Sequence, residues 1–591
     1  MQGSLGSSTW RCAFLGALVA LSSCVHSTPV TEGRNATSAP KHVILMVLDD
    51  IGWADVGYHG SDFLTPNIDK MVNDGVKLER MYTYPQCSPT RSSVLTGRYS
   101  FRTGMQHFTT LTPASTPGLP RKDGTKTVAE IFQAGGYATH MVGKWHVGYS
   151  KWSQTPLGSG FDSFFGYLQG EGDYYNHSLF SCLGAACIFK ENRGVSSPVG
   201  EGAAGYDFWD NRQPVYDAFG QYSMDYYDQK VDEILKPYGS KDIAPEKPLF
   251  LYFAEQTLHI PIQAPPDGSY VERCRKVTGG SQELNRTILC AMAGRLDDSI
   301  GLLSDRLKRY GMWNDTLILG LTDNGGMTYW GEVFPSSASS NWPLRGGKTT
   351  VFEGGVRSVA FLAGGAVPPA ARGTSSNDLL HAIDVLPTLA GFAGLPTHDL
   401  VDGQNFWPTL QHGVAWLRHE LPINIGVNPL GGLPFRPGLI GGGGLNYSAL
   451  ISWPYKIVVG NPYITWATAD ERRRDGWWTL KDYRYVPPEE EFALPYRLYD
   501  LEKDETEQRN LAGEPQYQDV VKYLTERVRW YASKANGYKF EQLNLPKLAG
   551  NCRWHNWTWS PFIREEEEEN DDDDDDDDDD EVSDQEQELV I

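Results

Sequence analysis

The sequence predicts an α/β protein built on a doubly wound sheet flanked by helices, and two observations carry that prediction. Four short β-branched or aromatic runs, Val43–Leu48, Tyr137–Val142, Leu249–Ala254 and Thr316–Leu321, are each followed at once by polar residues that a core rejects. Helical patterns lie between them. Unbroken apolar runs are what strands buried on both faces of a parallel sheet require. Alternation of helix and strand then calls for right-handed crossovers. Ligands of such sheets bind beyond the carboxyl ends of the strands, so the polar residues after the four runs should converge there.

Taken in order, residues 1 to 27 carry Arg11, an apolar stretch Cys12–Leu21 and small residues through Ser27, the pattern of a secretory signal. That stretch is too short to cross a bilayer. Leu21-Ser22-Ser23-Cys24 also matches a bacterial lipoprotein box, so a lipidated Cys24 is the alternative. Residues 28–40 read as a linker. The catalytic segment is expected over 41–425. Within it, the capping box Thr127-x-x-Glu130 opens a helix that stops at Gly135-Gly136. Leu296, Ile300, Leu303 and Leu307 form the apolar stripe of a second helix, Leu296–Tyr310, which Gly311 ends.

Beyond about 375 the composition changes. Gly- and Pro-rich Asn428–Gly444 precedes a strand-like Leu450–Val459, and Tyr517–Lys534 reads as a helix. These features predict a smaller C-terminal subdomain over 426–564, an antiparallel sheet with one helix. Residues 565–591 form an acidic tail that cannot fold, because its like charges repel and it has little apolar surface to bury.

The 591 residues are 40% hydrophobic and 12% aromatic, enough for a large core, which excludes fibrous and small disulfide-scaffold classes. The net charge of −23 is dominated by nineteen acidic residues between Glu565 and Glu588, and subtracting them leaves only −4 for the rest. A general nucleic-acid footprint is therefore absent. Asn-x-Ser/Thr sequons at Asn35, Asn176, Asn285, Asn314, Asn446 and Asn556 fit passage through a secretory pathway, with a secreted or lysosomal destination. Close cysteine pairs suggest Cys182–Cys187 and Cys274–Cys290 bridges, leaving Cys87 and Cys552 over.

Asp49-Asp50 and Asp323-Asn324 place four oxygen donors at two strand ends, the ligand type that a hard divalent cation takes. Three carboxylates gathered without a cation would repel one another. Each pair alone also suits a turn after a strand. The segment Cys87-Ser88-Pro89-Thr90-Arg91, continued by Ser93-Val94-Leu95-Thr96-Gly97-Arg98, decides between these readings.

That segment resembles the signature of the formylglycine-dependent sulfatases. Gly143-Lys144-Trp145-His146, Leu258-His259-Ile260-Pro261 and Thr322-Asp323-Asn324-Gly325-Gly326 stand in the family's order, extending the resemblance from about Lys41 to Asn510. Asn341-Trp342-Pro343-Leu344-Arg345-Gly346-Gly347-Lys348 with Glu353-Gly354-Gly355-Val356-Arg357 is similar to the arylsulfatase B branch, which removes the 4-sulfate of N-acetylgalactosamine. The resemblance implies an alkaline-phosphatase-like mixed sheet. It also implies one Ca²⁺ held by Asp49, Asp50, Asp323, Asn324 and the modified Cys87, and a formylglycine made from Cys87 by a formylglycine-generating enzyme.

The same resemblance implies that Arg91 anchors the aldehyde hydrate while Lys144, His259 and Lys348 surround the sulfate. His259 or Lys348 would protonate the leaving alcohol, and His146 would assist the second hydroxyl. Trp145 and Trp342 read as packing residues. Gly431–Gly444 and a low cysteine count depart from the branch, which makes the substrate less secure than the chemistry. Two other functions compete: phosphonate or phosphate-ester hydrolysis on the same fold, and a non-catalytic glycoprotein that binds mineral or matrix. The acidic tail suits solubility or weak binding of Ca²⁺ or basic partners.

Overall fold

The computed structural model describes residues 41–106, 118–119, 123–180, 204–240, 245–278, 284–328, 338–426, 447–460, 495–535, 558 and 560–561. Its main element is a ten-stranded mixed sheet. In chain order the strands are β1 (His42–Leu48), β2 (Val76–Leu78), β3 (Ala138–Lys144), β4 (Ser163–Tyr167), β5 (Trp209–Asp210), β6 (Gln213–Pro214), β7 (Leu249–Ala254), β8 (Thr316–Thr322), β9 (Ala360–Ala363) and β10 (Thr374–Ser376). Their spatial order is β10-β2-β9-β8-β1-β7-β3-β4-β5-β6. The central five, β8-β1-β7-β3-β4, are parallel, and antiparallel β9 and β5 flank them.

The four apolar runs are thus the four adjacent central strands. Every residue of β1, β7 and β8 is buried. Pairing of Val43 with Phe250 and Leu317 sets the register, so alternate residues feed two cores. Val43, Leu45 and Val47 face one, Ile44, Met46 and Leu48 the other. The first core takes the helices Val128–Ala134 and Val385–Ala393, and the second takes Ser223–Leu235 and Leu284–Arg309.

Local signals account for several boundaries. Thr127 and Glu130 form the reciprocal capping box, with Thr127 N–H donating to Glu130 at 2.8 Å and Glu130 N–H to Thr127 Oγ1 at 3.2 Å. The long helix begins at Leu284, twelve residues before the stripe predicted it, because its first turns pack instead on the helix Ser269–Val277. The Cys274–Cys290 disulfide joins those two helices, as the spacing suggested. Cys182, Cys187 and Cys552 lie outside the described residues, as do Asn35, Asn446, Asn556 and the acidic tail.

A second, antiparallel sheet follows: β11 (Glu420–Asn424), β12 (Ser448–Ser452), β13 (Tyr455–Val459) and β14 (Tyr496–Asp500). The single run predicted over Leu450–Val459 is a tight hairpin instead, turned by Trp453-Pro454, where proline cannot donate to a ladder. The helix Gln518–Ala532 covers one face of this sheet. Among the described residues, no helix is long and apolar enough to cross a membrane.

Candidate active site

The chain turns sharply at the carboxyl ends of the central strands. Asp49-Asp50 follow β1, Lys144 ends β3, His259 lies five residues beyond β7, and Asp323-Asn324 follow β8. Asp50 (φ 58°) and His146 (φ 56°) sit in the left-handed region, a conformation worth about 1–3 kcal/mol of strain and tolerated where surrounding structure fixes it. Cys87 opens the helix α1 (Cys87–Thr96), every residue of which is buried, and its thiol has no disulfide partner among the described residues. That places its Sγ at a helix N-terminus, where the macrodipole favours negative charge.

Ion pairs hold the carboxylates. Arg91, one turn along α1 from Cys87, donates from Nε to Asp323 Oδ2 at 3.0 Å and from Nη1 to Lys144 O at 3.1 Å. Its Nη2 lies 2.8 Å from Asp323 Oδ2 and 3.7 Å from Asp49 Oδ2. Lys144 Nζ donates to Asp49 Oδ2 at 2.6 Å. Lys348 Nζ donates to both oxygens of Asp50, at 2.7 and 2.8 Å. His259 Nδ1–H donates to Ile260 O at 2.8 Å, which leaves Nε2 facing Asp50 Oδ2 at 3.8 Å.

These contacts drive the neighbouring carboxyls apart. Burial and the adjacent Asp323 push Asp49 up, against the pull of Lys144 and Arg91. Burial would raise Asp50 as well, yet Lys348, His259 and Lys144 outweigh it and hold that group well below the usual carboxylate range. Burial, then the cations Lys144 and Arg91, keep His146 well below its ordinary value, so its ring is neutral. The Lys348 side chain is only 8% exposed, and Asp50 outweighs that burial and holds its ammonium firmly protonated.

Ligand atoms of Asp49, Asp50, Cys87 and His259 lie within 4.8 Å of one another, a group that could hold a metal ion. The donor chemistry fits a hard cation: Asp49 Oδ1 and Asn324 Oδ1 are buried oxygens with no hydrogen-bond partner among the described residues, a costly state unless something meets them. Asp323 accepts from Asp50 N–H at 3.4 Å through its other oxygen. The structure therefore brings Asp49, Asp50, Cys87, Arg91, Lys144, His259, Asp323, Asn324 and Lys348 together, with His146 on the adjoining turn.

One other contributor carries no sequence signal. Asp207, far along the chain, accepts from the Leu168 and Gln169 N–H groups at 3.1 and 2.9 Å, and Leu168 O accepts from His146 N–H at 3.1 Å. Asn341 Oδ1 accepts from Gly326 N–H at 2.9 Å and from Trp53 N–H at 3.3 Å, tying three motif turns together. Trp145 is buried as a packing residue should be, whereas Trp342 is 39% exposed.

Cations meeting a buried carboxylate cluster at the strand ends of a mixed, doubly wound sheet suit an anionic ester, and the fold is alkaline-phosphatase-like, the class of such ester hydrolases. A family model described as Sulfatase matches residues 41–395. Arylsulfatase J of Mus musculus is 34% identical over 545 residues, covering 90% of this chain and 82% of that protein. Human N-acetylgalactosamine-6-sulfatase is 29% identical over 402 residues, 64% of this chain and 68% of that one. The crystal structure of Ps i-CgsB shares the fold, with a TM-score of 0.63 and 22% identity over 88% of this chain and 98% of that one. The PsFucS1 sulfatase from Pseudoalteromonas sp. gives 0.53 and 23%, over 83% and 91%. The chain belongs to the sulfatase family and is a sulfuric ester hydrolase, as its motifs implied.

Proposed function

We propose that this enzyme removes sulfate from sulfated sugars, N-acetylgalactosamine 4-sulfate among them, using a formylglycine made from Cys87 and one Ca²⁺. The observation that carries the reading is Cys87 itself: a buried thiol at a helix start, within 4.8 Å of two aspartates and a histidine. The thiol stands where the aldehyde would be. Its hydrate would supply one hydroxyl to attack sulfur and a second to release the product. Asp49, Asp50, Asp323, Asn324 and residue 87 would hold the Ca²⁺, which polarises a sulfate oxygen when bound.

The chain's own groups divide the remaining work. Arg91, locked by Asp323 and Lys144 O, orients residue 87. Lys144 and Lys348 stabilise charge developing on the sulfuryl oxygens. In its imidazolium form, His259 keeps Nδ1–H on Ile260 O and hands the Nε2 proton to the leaving alcohol, with Lys348 as the other donor in reach of the site. His146, held neutral, accepts the proton of the second hydroxyl.

The names of the relatives support a sugar sulfate. Maturation in an oxidising secretory compartment is supported by the Cys274–Cys290 bridge and by the exposed sequon asparagines Asn176 and Asn314, with Asn285 half-buried. There the formylglycine-generating enzyme would act on Cys87, and the product would be secreted or lysosomal. The test is the mass of the tryptic peptide Met81–Arg91 from protein made in its native pathway. An aldehyde in place of the thiol supports the reading. A fully alkylatable Cys87, with no turnover of an aryl sulfate, overturns it.

A further inference from the structure

Three charged residues are buried together where the second sheet meets the catalytic loops. Lys456 Nζ on β13 lies 2.9 Å from Glu353 Oε1 and 2.9 Å from Glu507 Oε1. Glu507 Oε2 accepts from Glu353 N–H at 2.6 Å, and Tyr82 OH donates to Glu353 Oε2 at 2.9 Å. None of the three charged residues is more than 1% exposed. Burying ions costs as much as their attraction returns, so such a cluster is weak evidence of stabilisation and calls for another role.

Its connections show what it grips. Glu353 is followed by Gly354-Gly355, and this backbone lies directly against the two loops that carry site residues. Gly325 N–H donates to Gly355 O at 3.0 Å, and a Cβ on Gly325 would stand 1.8 Å from Gly354 O. A Cβ on Gly355 would stand 2.1 Å from Thr350 O and 2.5 Å from Gly347 O. Gly347 and Thr350 bracket Lys348, and Gly325 follows Asn324. The other end of the Lys348 loop is held by the same region, because Arg345 Nη1 donates to Glu507 O at 3.0 Å and to Tyr499 OH at 3.1 Å. Between these anchors, Lys348 N–H reaches Gly326 O at 3.2 Å and Thr349 N–H reaches Pro85 O at 2.7 Å, two residues before Cys87.

We propose that Lys456 and Glu507 are positioning residues for Lys348: through Glu353 and the Gly354-Gly355 bed they fix the loop that aims its ammonium at the sulfate site. The second sheet is then part of the catalytic apparatus rather than an appended domain. This rests on the reading of Lys348 as a sulfate-facing group.

The test uses the full matured chain with Lys456→Met, and Glu507→Gln as a milder variant that keeps an acceptor for Glu353 N–H. Amide hydrogen exchange is read on a peptide spanning residues 344–352, and kcat and KM on an aryl sulfate. Lys456→Met should speed exchange in 344–352 at least tenfold while leaving the helix Val128–Ala134 unchanged, and should lower kcat of folded protein at least tenfold. In a Lys348→Ala background the same substitution should lower the residual kcat less than twofold. Exchange in 344–352 that is unchanged, or raised equally everywhere, overturns the proposal, and so does an equal kcat loss in both backgrounds. A wild-type chain that turns over no sulfate ester counts against the sulfatase reading instead, and the exchange result still decides the positioning role.

Discussion

Lys348 Nζ meets both carboxylate oxygens of Asp50, at 2.7 and 2.8 Å, so one ion pair holds a residue that the proposed calcium site also needs. The two cations are rivals for one anion. At about 4 Å and an effective dielectric of about 20, two like unit charges repel by roughly 4 kcal/mol. Lys348→Ala is therefore expected to bind Ca²⁺ at least about tenfold more tightly, a change of ~1.4 kcal/mol, while losing turnover. Calorimetric titration of wild type and variant reads this directly, and equal or weaker affinity in the variant would sink it.

Arg91 carries a structural load beside its chemical one. Fully buried, it is the cation that joins Asp323 to Asp49. Truncation leaves two buried carboxylates short of a partner, which costs about 3–5 kcal/mol. Arg91→Ala should lose that much stability in urea unfolding, and Arg91→Lys should recover little of it, because an ammonium cannot reproduce the guanidinium fork. Full recovery by lysine would show that charge alone matters there.

Much of the candidate site was legible in the sequence because Asp49, Asp50, Lys144, Asp323 and Asn324 stand at or just past the ends of apolar runs, and a strand end is a fixed place in a parallel sheet. Asp49, Lys144 and Asp323 needed only that rule plus the motif around Cys87. Lys456 and Glu507 could not be found the same way: a lysine inside a β run and a glutamate in a polar loop both read as solvated charges until the fold buries them against Glu353. Asp207 is hidden for a related reason, since its partners are backbone N–H groups nearly forty residues earlier. The β12–β13 hairpin was misread as one run because apolar residues continue up to and beyond the Trp453-Pro454 turn, and hydrophobicity does not report a reversal of direction.

The Cys274–Cys290 bridge, with a sequence separation of 16, closes a loop for which chain entropy alone predicts about 3 kcal/mol of stabilisation. Cys274→Ser with Cys290→Ser should lower unfolding free energy by about 2–4 kcal/mol. The pair joins two helices packed on the second core, and neither cysteine is among the residues gathered at the strand ends, so kcat of the folded variant should stay near that of wild type. A large loss of kcat without a loss of stability would contradict this.

Glu255, at the carboxyl end of β7, gives a pH dependence whose sign can be worked out. It is fully buried; Oε2 accepts from Gln256 N–H at 3.2 Å and Oε1 has no hydrogen-bond partner among the described residues. Burial, reinforced by Asp228 and opposed by Arg295, pushes its carboxyl up to about 8. In the unfolded chain a glutamate ionises near pH ~4.3. Between those values the folded protein keeps a proton that the unfolded chain has released, so stability falls as pH rises, by about 1.4 kcal/mol per unit. The contribution is complete below about pH 4 and lost as pH climbs through about 8. Glu255→Gln removes the titration while keeping the shape. Urea unfolding at about pH 5 and about pH 7.5 should show the variant gaining roughly 2–4 kcal/mol on wild type at the higher pH relative to the lower. Parallel stabilities at the two pH values would mean that Glu255 is already ionised in the fold.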